Sequence, residues 1–334
     1  MENNNFWENK KVFVTGGTGF IGTYLVKELI DNGAEVFCLT QELVGNSNFT
    51  MLGLDKKTTL IFGSVLDYNL ISTTLKKHEI DTVFHLAAQP LVQVAFERPY
   101  ETIQTNFIGT LNILEASRMG EIKRIIIASS DKAYGDHKDL PYEESFALQG
   151  RYPYDVSKSC ADLLAQGYGK TYSLPVVVTR FSNVYGGGDL NFDRIVPQTI
   201  RHLINKEPIL IRSNGKFKRE FFYVKDASQA YLKLAEKIEI LGLKGEAFNF
   251  GTDAPVLIMD LVKKIKDIYG NMSAEVKILD KVKAEIRDQF LSSKKARDML
   301  EWEPKYDLES GIRETCKWYG EYFLKKPMVK DINF

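Results

Sequence analysis

Ser130, Asp131 and Lys132 set a hydroxyl, an acid and an amine side by side, directly after the apolar run RIIIAS. About twenty residues on, Tyr154 and Lys158 stand four apart in RYPYDVSKSCADLLAQGYG, on one face of the helix this stretch predicts. Either group alone reads as ordinary solvated surface, because loops leaving buried strands are polar for that reason. Together they form a chemical set. A phenol is a poor base at its ordinary pKa of about 10, but a neighbouring ammonium and a cationic nicotinamide both favour the phenolate. Tyr154 then takes a proton from a substrate hydroxyl as hydride leaves the same carbon, Lys158 supplies positive charge, and Ser130 donates a hydrogen bond to that oxygen. The chemistry is alcohol oxidation.

Hydride needs an acceptor, and KVFVTGGTGFIGTYLVKEL provides a place for one. Gly16, Gly19 and Gly22 follow the first strand and open a helix, where the backbone turns tightly and free N–H groups meet a pyrophosphate. The acid expected some twenty residues on, to grip the adenosine ribose, is replaced by Thr40, followed by Gln41 and Glu42. No arginine follows to receive a 2′-phosphate, so NAD is expected and NADP is not excluded.

Those residues require a scaffold. Short β-branched runs (KVFVT, AEVFCL, TTLIFG, TVFHLAA, RIIIASS, VVVTRF) alternate with helical segments such as TYLVKELIDNG and TNFIGTLNILEASR. The alternation predicts an α/β fold, a Rossmann-type doubly wound parallel sheet with a smaller mixed C-terminal substrate lobe. Residues 1–185, with a return segment at about 220–253, are expected to form the dinucleotide-binding lobe. Residues 186–219 and 254–334 are expected to form the other lobe, with an amphipathic helix from Ile258 to Tyr269. Ligands of such sheets lie beyond the strand C-termini.

Composition narrows the partners. Lys+Arg and Asp+Glu are equal at 44 each, which gives no electrostatic case for nucleic acid or an anionic membrane. Cys38, Cys160 and Cys316 are an odd, scattered set, and with four histidines there is no metal-ligand spacing. MENNNFWENKK lacks the apolar core of a signal peptide, and no apolar run nears the ~20 residues of a membrane span. A soluble, cytoplasmic enzyme of small molecules is the expectation.

TGGTGFIG, HLAA at 85–88, TNFIGT around Asn106, YDVSK and RFSNVYG at 180–186 occur in the order found in the extended short-chain dehydrogenase/reductase family, which the chain resembles over almost its whole length. Ser130-Asp131-Lys132 is similar to the Ser/Thr-Asp-Lys of its CDP-glucose 4,6-dehydratase branch, as are FWENKKVFVTG, AAQPLVQ and GGGDLNFDRIVP. The resemblance implies oxidation at C4 of a nucleotide-linked hexose, loss of water across C5 and C6, and hydride return to C6. It places Asp131 as the acid protonating the departing O6 and Lys132 as the C5 base. It assigns Gly16, Gly19, Phe20, Ile21, Gly22, Thr40, Ser64, Val65, Leu86, Ala87, Ala88 and Asn106 to the cofactor, alongside Tyr154 and Lys158. Gln89, Asn183, Arg194, Arg219 and Arg287 fall to the sugar nucleotide, and the assembly to a homodimer. A nucleotide-sugar epimerase or decarboxylase is the rival on the same scaffold, and a non-catalytic dinucleotide-binding regulator the rival from another class.

Overall fold

A computed structural model describes residues 5–281 and 286–324. The six anticipated strands form β1 (Lys11–Thr15), β2 (Glu35–Thr40), β3 (Thr59–Phe62), β4 (Thr82–His85), β5 (Arg124–Ala128) and β6 (Val176–Phe181). A seventh, Glu246–Phe250, completes one parallel sheet in which β3, β2, β1, β4, β5 and β6 lie in that spatial order with Glu246–Phe250 beside β6. Side chains alternate across these strands, and both faces are covered. Val12 and Val14 of β1 enter one apolar cluster while Phe13 enters the other; Ile126 and Val177 join the first, and Ile125, Ile127, Val176 and Val178 the second. Full burial of each such side chain contributes roughly 1.5–3 kcal/mol.

The first cluster is closed by α1 (Phe20–Asp31), through Leu25, Val26 and Leu29, and by the helix Val224–Lys237, through Ala227, Ala230 and Tyr231. Helices Tyr68–Lys77, Gly109–Met119 and Pro153–Tyr172 close the second. A third cluster gathers Val196, Ile200, Leu203, Ile209, Leu261, Val262, Ile265, Ile312 and Tyr319, away from the large sheet. The helix Ile258–Tyr269 forms as its periodicity predicts and buries Leu261, Val262 and Ile265 there.

Strand order reverses between β1 and β4, so the loops leaving these two strands diverge and open a crevice at their C-terminal ends. Short strands frame the far side. Lys218–Arg219 pairs antiparallel with Val256–Leu257 and parallel with Asp288–Gln289, which sets Gln289 opposite Arg219. Among the described residues no helix is long and apolar enough to cross a membrane.

Candidate active site

β1 ends at Thr15, and the chain turns at Gly16 with φ +71°. A Cβ there would stand 2.7 Å from the Ala87 nitrogen, and one at Gly22 would stand 2.1 Å from the Gly16 oxygen. Glycine is required at both. Gly19 caps α1 without any side chain bonded to the first-turn amides, and no acid occupies that turn. The resulting positive helix end and close backbone approach fit the pyrophosphate of a dinucleotide. Across the cleft from Gly19 and Phe20 lie Asp189, Asn191 and Arg194.

The remaining expected cofactor positions fall around this loop. The Thr40 hydroxyl donates to the Glu42 carbonyl at 2.6 Å and lies 3.3 Å from that of Thr18. Ser64 Oγ accepts from the Leu66 amide, next to buried Val65. Leu86, Ala87 and Ala88 are partly buried at the end of β4, and the Ala87 amide donates to Thr15 Oγ1 at 3.2 Å. Asn106 lies in a π-turn, Gln104–Ile108, and acts as a staple: Oδ1 accepts from the Gln89 amide at 2.7 Å, and Nδ2 donates to the Gln89 carbonyl and to Ser157 Oγ.

Under this floor runs a polar chain that sequence reasoning did not single out. Thr110 donates to the Asn106 carbonyl, so its oxygen accepts from His85 Nε2 at 3.0 Å, and His85 Nδ1 accepts from Thr15 at 2.7 Å. Burial pulls the His85 imidazole down to about 3, helped by the Lys158 charge. It is a neutral linker tying β1, β4 and the helix Gly109–Met119.

The reactive cluster sits where β5 ends. Ser130 caps the 3-10 turn Asp131–Tyr134: its oxygen accepts from the Lys132 amide at 3.2 Å, and its hydroxyl lies 3.1 Å from Asp131 Oδ1. Helix Pro153–Tyr172, started by its proline, brings in Tyr154 and Lys158, 8% and 7% exposed. The helix is held to β6 by the buried pair Asp162–Arg180, in which two guanidinium nitrogens meet the two carboxylate oxygens at 2.8 and 2.9 Å.

Electrostatics in the cluster follow from burial. Asp131 is 4% exposed, and desolvation raises its pKa against the pull of Lys132, Ser130 and Arg219. Its Oδ2 has no hydrogen-bond partner. Burial pushes the Tyr154 phenol up to about 12, with the Asp131 charge adding to the rise and a Ser130 hydrogen bond and Arg194 opposing it. The fall expected from the Tyr–Lys spacing is therefore not produced by the protein alone. Lys158 turns its amine to the Ala128 carbonyl at 2.9 Å, and burial lowers it to about 8. Asp155, passed over in the sequence, is raised to about 6 by burial; Lys132 opposes and Asp131 reinforces the shift. Asp131, Asp155 and Lys132 thus lie within electrostatic reach of one another.

On the substrate side the placements are mixed. The Arg194 guanidinium lies 2.9 Å from Asp189, and its charge acts on Tyr154. Asn183 donates to the Glu220 carbonyl at 3.0 Å. Arg219 is buried and donates to the carbonyls of Lys218, Ile286 and Arg287, which makes it a clamp on backbone. Arg287 is exposed. The Gln89 amide bonds Leu91 and Thr102 within its own loop. Among the described residues no cluster of His, Cys, Asp or Glu is arranged to hold a metal ion.

The sequence profile described as GDP-mannose 4,6 dehydratase matches residues 13–315. The chain belongs to this dehydratase family. CDP-glucose 4,6-dehydratase of Salmonella typhimurium is 30% identical over 98% of this chain and 96% of that protein. UDP-N-acetyl-alpha-D-glucosaminuronate decarboxylase of Bacillus cytotoxicus is 31% identical over 93% of this chain and 98% of that one. The solved structure of dTDP-glucose 4,6-dehydratase from Bacillus anthracis, in complex with NAD, superposes with a TM-score of 0.83 at 25% identity, covering 93% of this chain and 97% of that chain. The Rossmann-type sheet and the short-chain dehydrogenase/reductase resemblance both agree with this membership.

Within the dehydratase family frame, the residues missed from sequence were Thr15, His85, Thr110, Asp155, Ser157 and Gln289. Asp155 and His85 stood inside quoted motifs, YDVSK and HLAA, so position was available as a signal. Gln289 gave none. Its Oε1 accepts from the Lys132 amine at 3.2 Å across 157 residues of chain.

Proposed function

We propose that the protein is an NAD-dependent nucleotide-sugar 4,6-dehydratase that converts an NDP-hexose into the 4-keto-6-deoxy sugar, with CDP-glucose the first substrate to try. The observation that carries the reading is Asp131: a carboxyl held toward its neutral form by burial, beside an amine and within the Ser130–Tyr154 cluster. An acid in its protonated state is what departure of a hydroxyl requires. Family membership and the relatives above support the same reaction.

Gly16, Gly19 and Gly22 with the α1 amides would hold the pyrophosphate, and Thr40, Ser64, Val65 and the segment Leu86–Ala88 would flank the adenosine. When bound, NAD supplies the hydride acceptor for C4 and the hydride returned to C6. The chain's own groups move protons. Tyr154 removes the proton of the C4 hydroxyl while Ser130 hydrogen-bonds the same oxygen. The C4 ketone acidifies the C5 hydrogen, which Lys132 takes, and Asp131 gives its proton to O6 as water leaves. We assign the sugar nucleotide to the cleft under Arg194 and Asn183, with the lobe around the third apolar cluster as its wall. Exposed Phe96, Tyr100 and Leu163 on neighbouring helices are a surface a second copy would cover in the homodimer.

The decarboxylase relative keeps one alternative in view, loss of carbon dioxide from a uronic acid on the same scaffold. Mass spectrometry of reactions with CDP-, dTDP-, UDP- and GDP-hexoses and a UDP-uronate separates the two. The expected result is loss of one water from a hexose, abolished in Asp131→Asn although that variant still binds the sugar nucleotide. Unimpaired water loss by Asp131→Asn would remove its role as acid.

A further inference from the structure

Gln289 lies on the two-residue strand Asp288–Gln289 and is 1% exposed. Its two amide ends have different fates. Oε1 accepts from the Lys132 amine at 3.2 Å, whereas Nε2 is buried without a partner. Asp131, one residue before Lys132, has the complementary deficiency at Oδ2. A buried polar atom left unpaired is destabilising, and such a cost persists where a ligand removes it. The strand register puts Gln289 opposite Arg219, and the Arg219 guanidinium is among the charges acting on Asp131. Arg219 fixes this strand by donating to the carbonyls of Ile286 and Arg287.

We propose that Gln289 is a second catalytic residue of the elimination, whose Nε2 donates to the C6 oxygen while its Oε1 holds the Lys132 amine against C5. A hydroxyl is the group that meets both unpaired atoms, because it accepts from the amide and exchanges a proton with the carboxyl. An amide also suits the base. A carboxylate in its place would add a negative charge beside the Lys132 amine, whereas an uncharged acceptor orients the amine without adding one. In the step itself the C5–H bond breaks, its proton goes to Lys132 and its electron pair forms the C5=C6 double bond. The C6–O bond breaks with its pair on oxygen, which takes the Asp131 proton and leaves as water while Gln289 remains bonded to it.

This inference rests on the dehydratase reading, and the experiment separates the two. Gln289→Leu and Gln289→Glu are compared with wild type for binding of the sugar nucleotide by calorimetry, for the single-turnover absorbance change of C4 oxidation, and for water loss by mass spectrometry. Gln289→Leu is expected to oxidise C4 at close to the wild-type rate and to lose water roughly 10- to 100-fold more slowly. Gln289→Glu, which keeps the shape and the bond to Lys132, is expected to shift the acidic limb of the water-loss pH profile upward. Water loss at the wild-type rate in Gln289→Leu would overturn the proposal, as would equal slowing of oxidation and elimination, or an unmoved pH profile in Gln289→Glu. Absence of water loss in the wild type would instead overturn the dehydratase reading. If Gln289→Leu fails to fold, the pH profile of Gln289→Glu decides.

Discussion

Asp155 carries a consequence for stability that unfolding can read. Its folded pKa is raised from the ordinary aspartate value to about 6, chiefly by burial. A raised carboxyl stabilises the fold below the unfolded value near 4 and loses that contribution as pH rises through 6. Above that window the ionised group is a liability beside Asp131. Asp155→Asn should therefore gain stability relative to wild type between pH 4 and pH 7, by on the order of 2 kcal/mol in urea unfolding. A difference that does not change with pH would contradict the electrostatic account of this pocket. The same residue marks the limit of sequence reading. Ser130, Asp131, Lys132, Tyr154 and Lys158 could be singled out because each follows a strand end or a helix start by a countable interval. Asp155 offered the same positional signal, but its chemistry did not show, because its environment is made by the 3-10 turn that carries Asp131 and Lys132, folded against it from another part of the chain. Gln89 shows the same limit: its amide bonds Leu91 and Thr102, and only the folded loop reveals those bonds.

At the scale of elements, the glycine loop is a tightly constrained piece of backbone near the site. Gly22 lies on α1 where the helix crosses the preceding turn, and a methyl there meets the Gly16 oxygen and the Gly17 Cα, at 2.1 and 2.7 Å. Both obstacles are backbone, so neither can rotate aside. Gly22→Ala must then push α1 away from β1, which costs about 1–3 kcal/mol of stability by overpacking and misaligns the helix amides. Dinucleotide affinity measured by calorimetry should fall at least roughly 10-fold, about 1.4 kcal/mol. Wild-type affinity would show that the helix end is not the pyrophosphate site. Strands and helices around this loop were legible because their patterns are strong: residues 11–15, 35–40, 82–85 and 176–181 are short runs rich in β-branched and aromatic residues and almost wholly buried, as strands covered on both faces are. The two-residue strands Lys218–Arg219, Val256–Leu257 and Asp288–Gln289 were not, since pairs this short have no period and exist only through one another. Arg219, expected at the diphosphate, donates to backbone carbonyls around these strands.

For the whole molecule, the sheet order explains why one crevice gathers groups from so many segments. The reversal between β1 and β4 puts the glycine loop and the Leu86–Ala88 segment at one point, and β5 with the helix Pro153–Tyr172 delivers acid, amine and phenol to its rim. Alternation of strand and helix made this architecture readable, whereas the far wall, assembled from residues near 190, 219 and 289, depends on contacts that no local pattern announces. The central claim is that these groups eliminate water from a hexose without net redox change. Its most direct test is the wild-type reaction run in heavy water, with the product analysed by mass spectrometry and NMR. The account predicts a product lighter by one water, with a solvent deuteron at C5 delivered by Lys132 as hydride returns to C6. A product of unchanged composition inverted at C4, or one lighter by carbon dioxide, would contradict it.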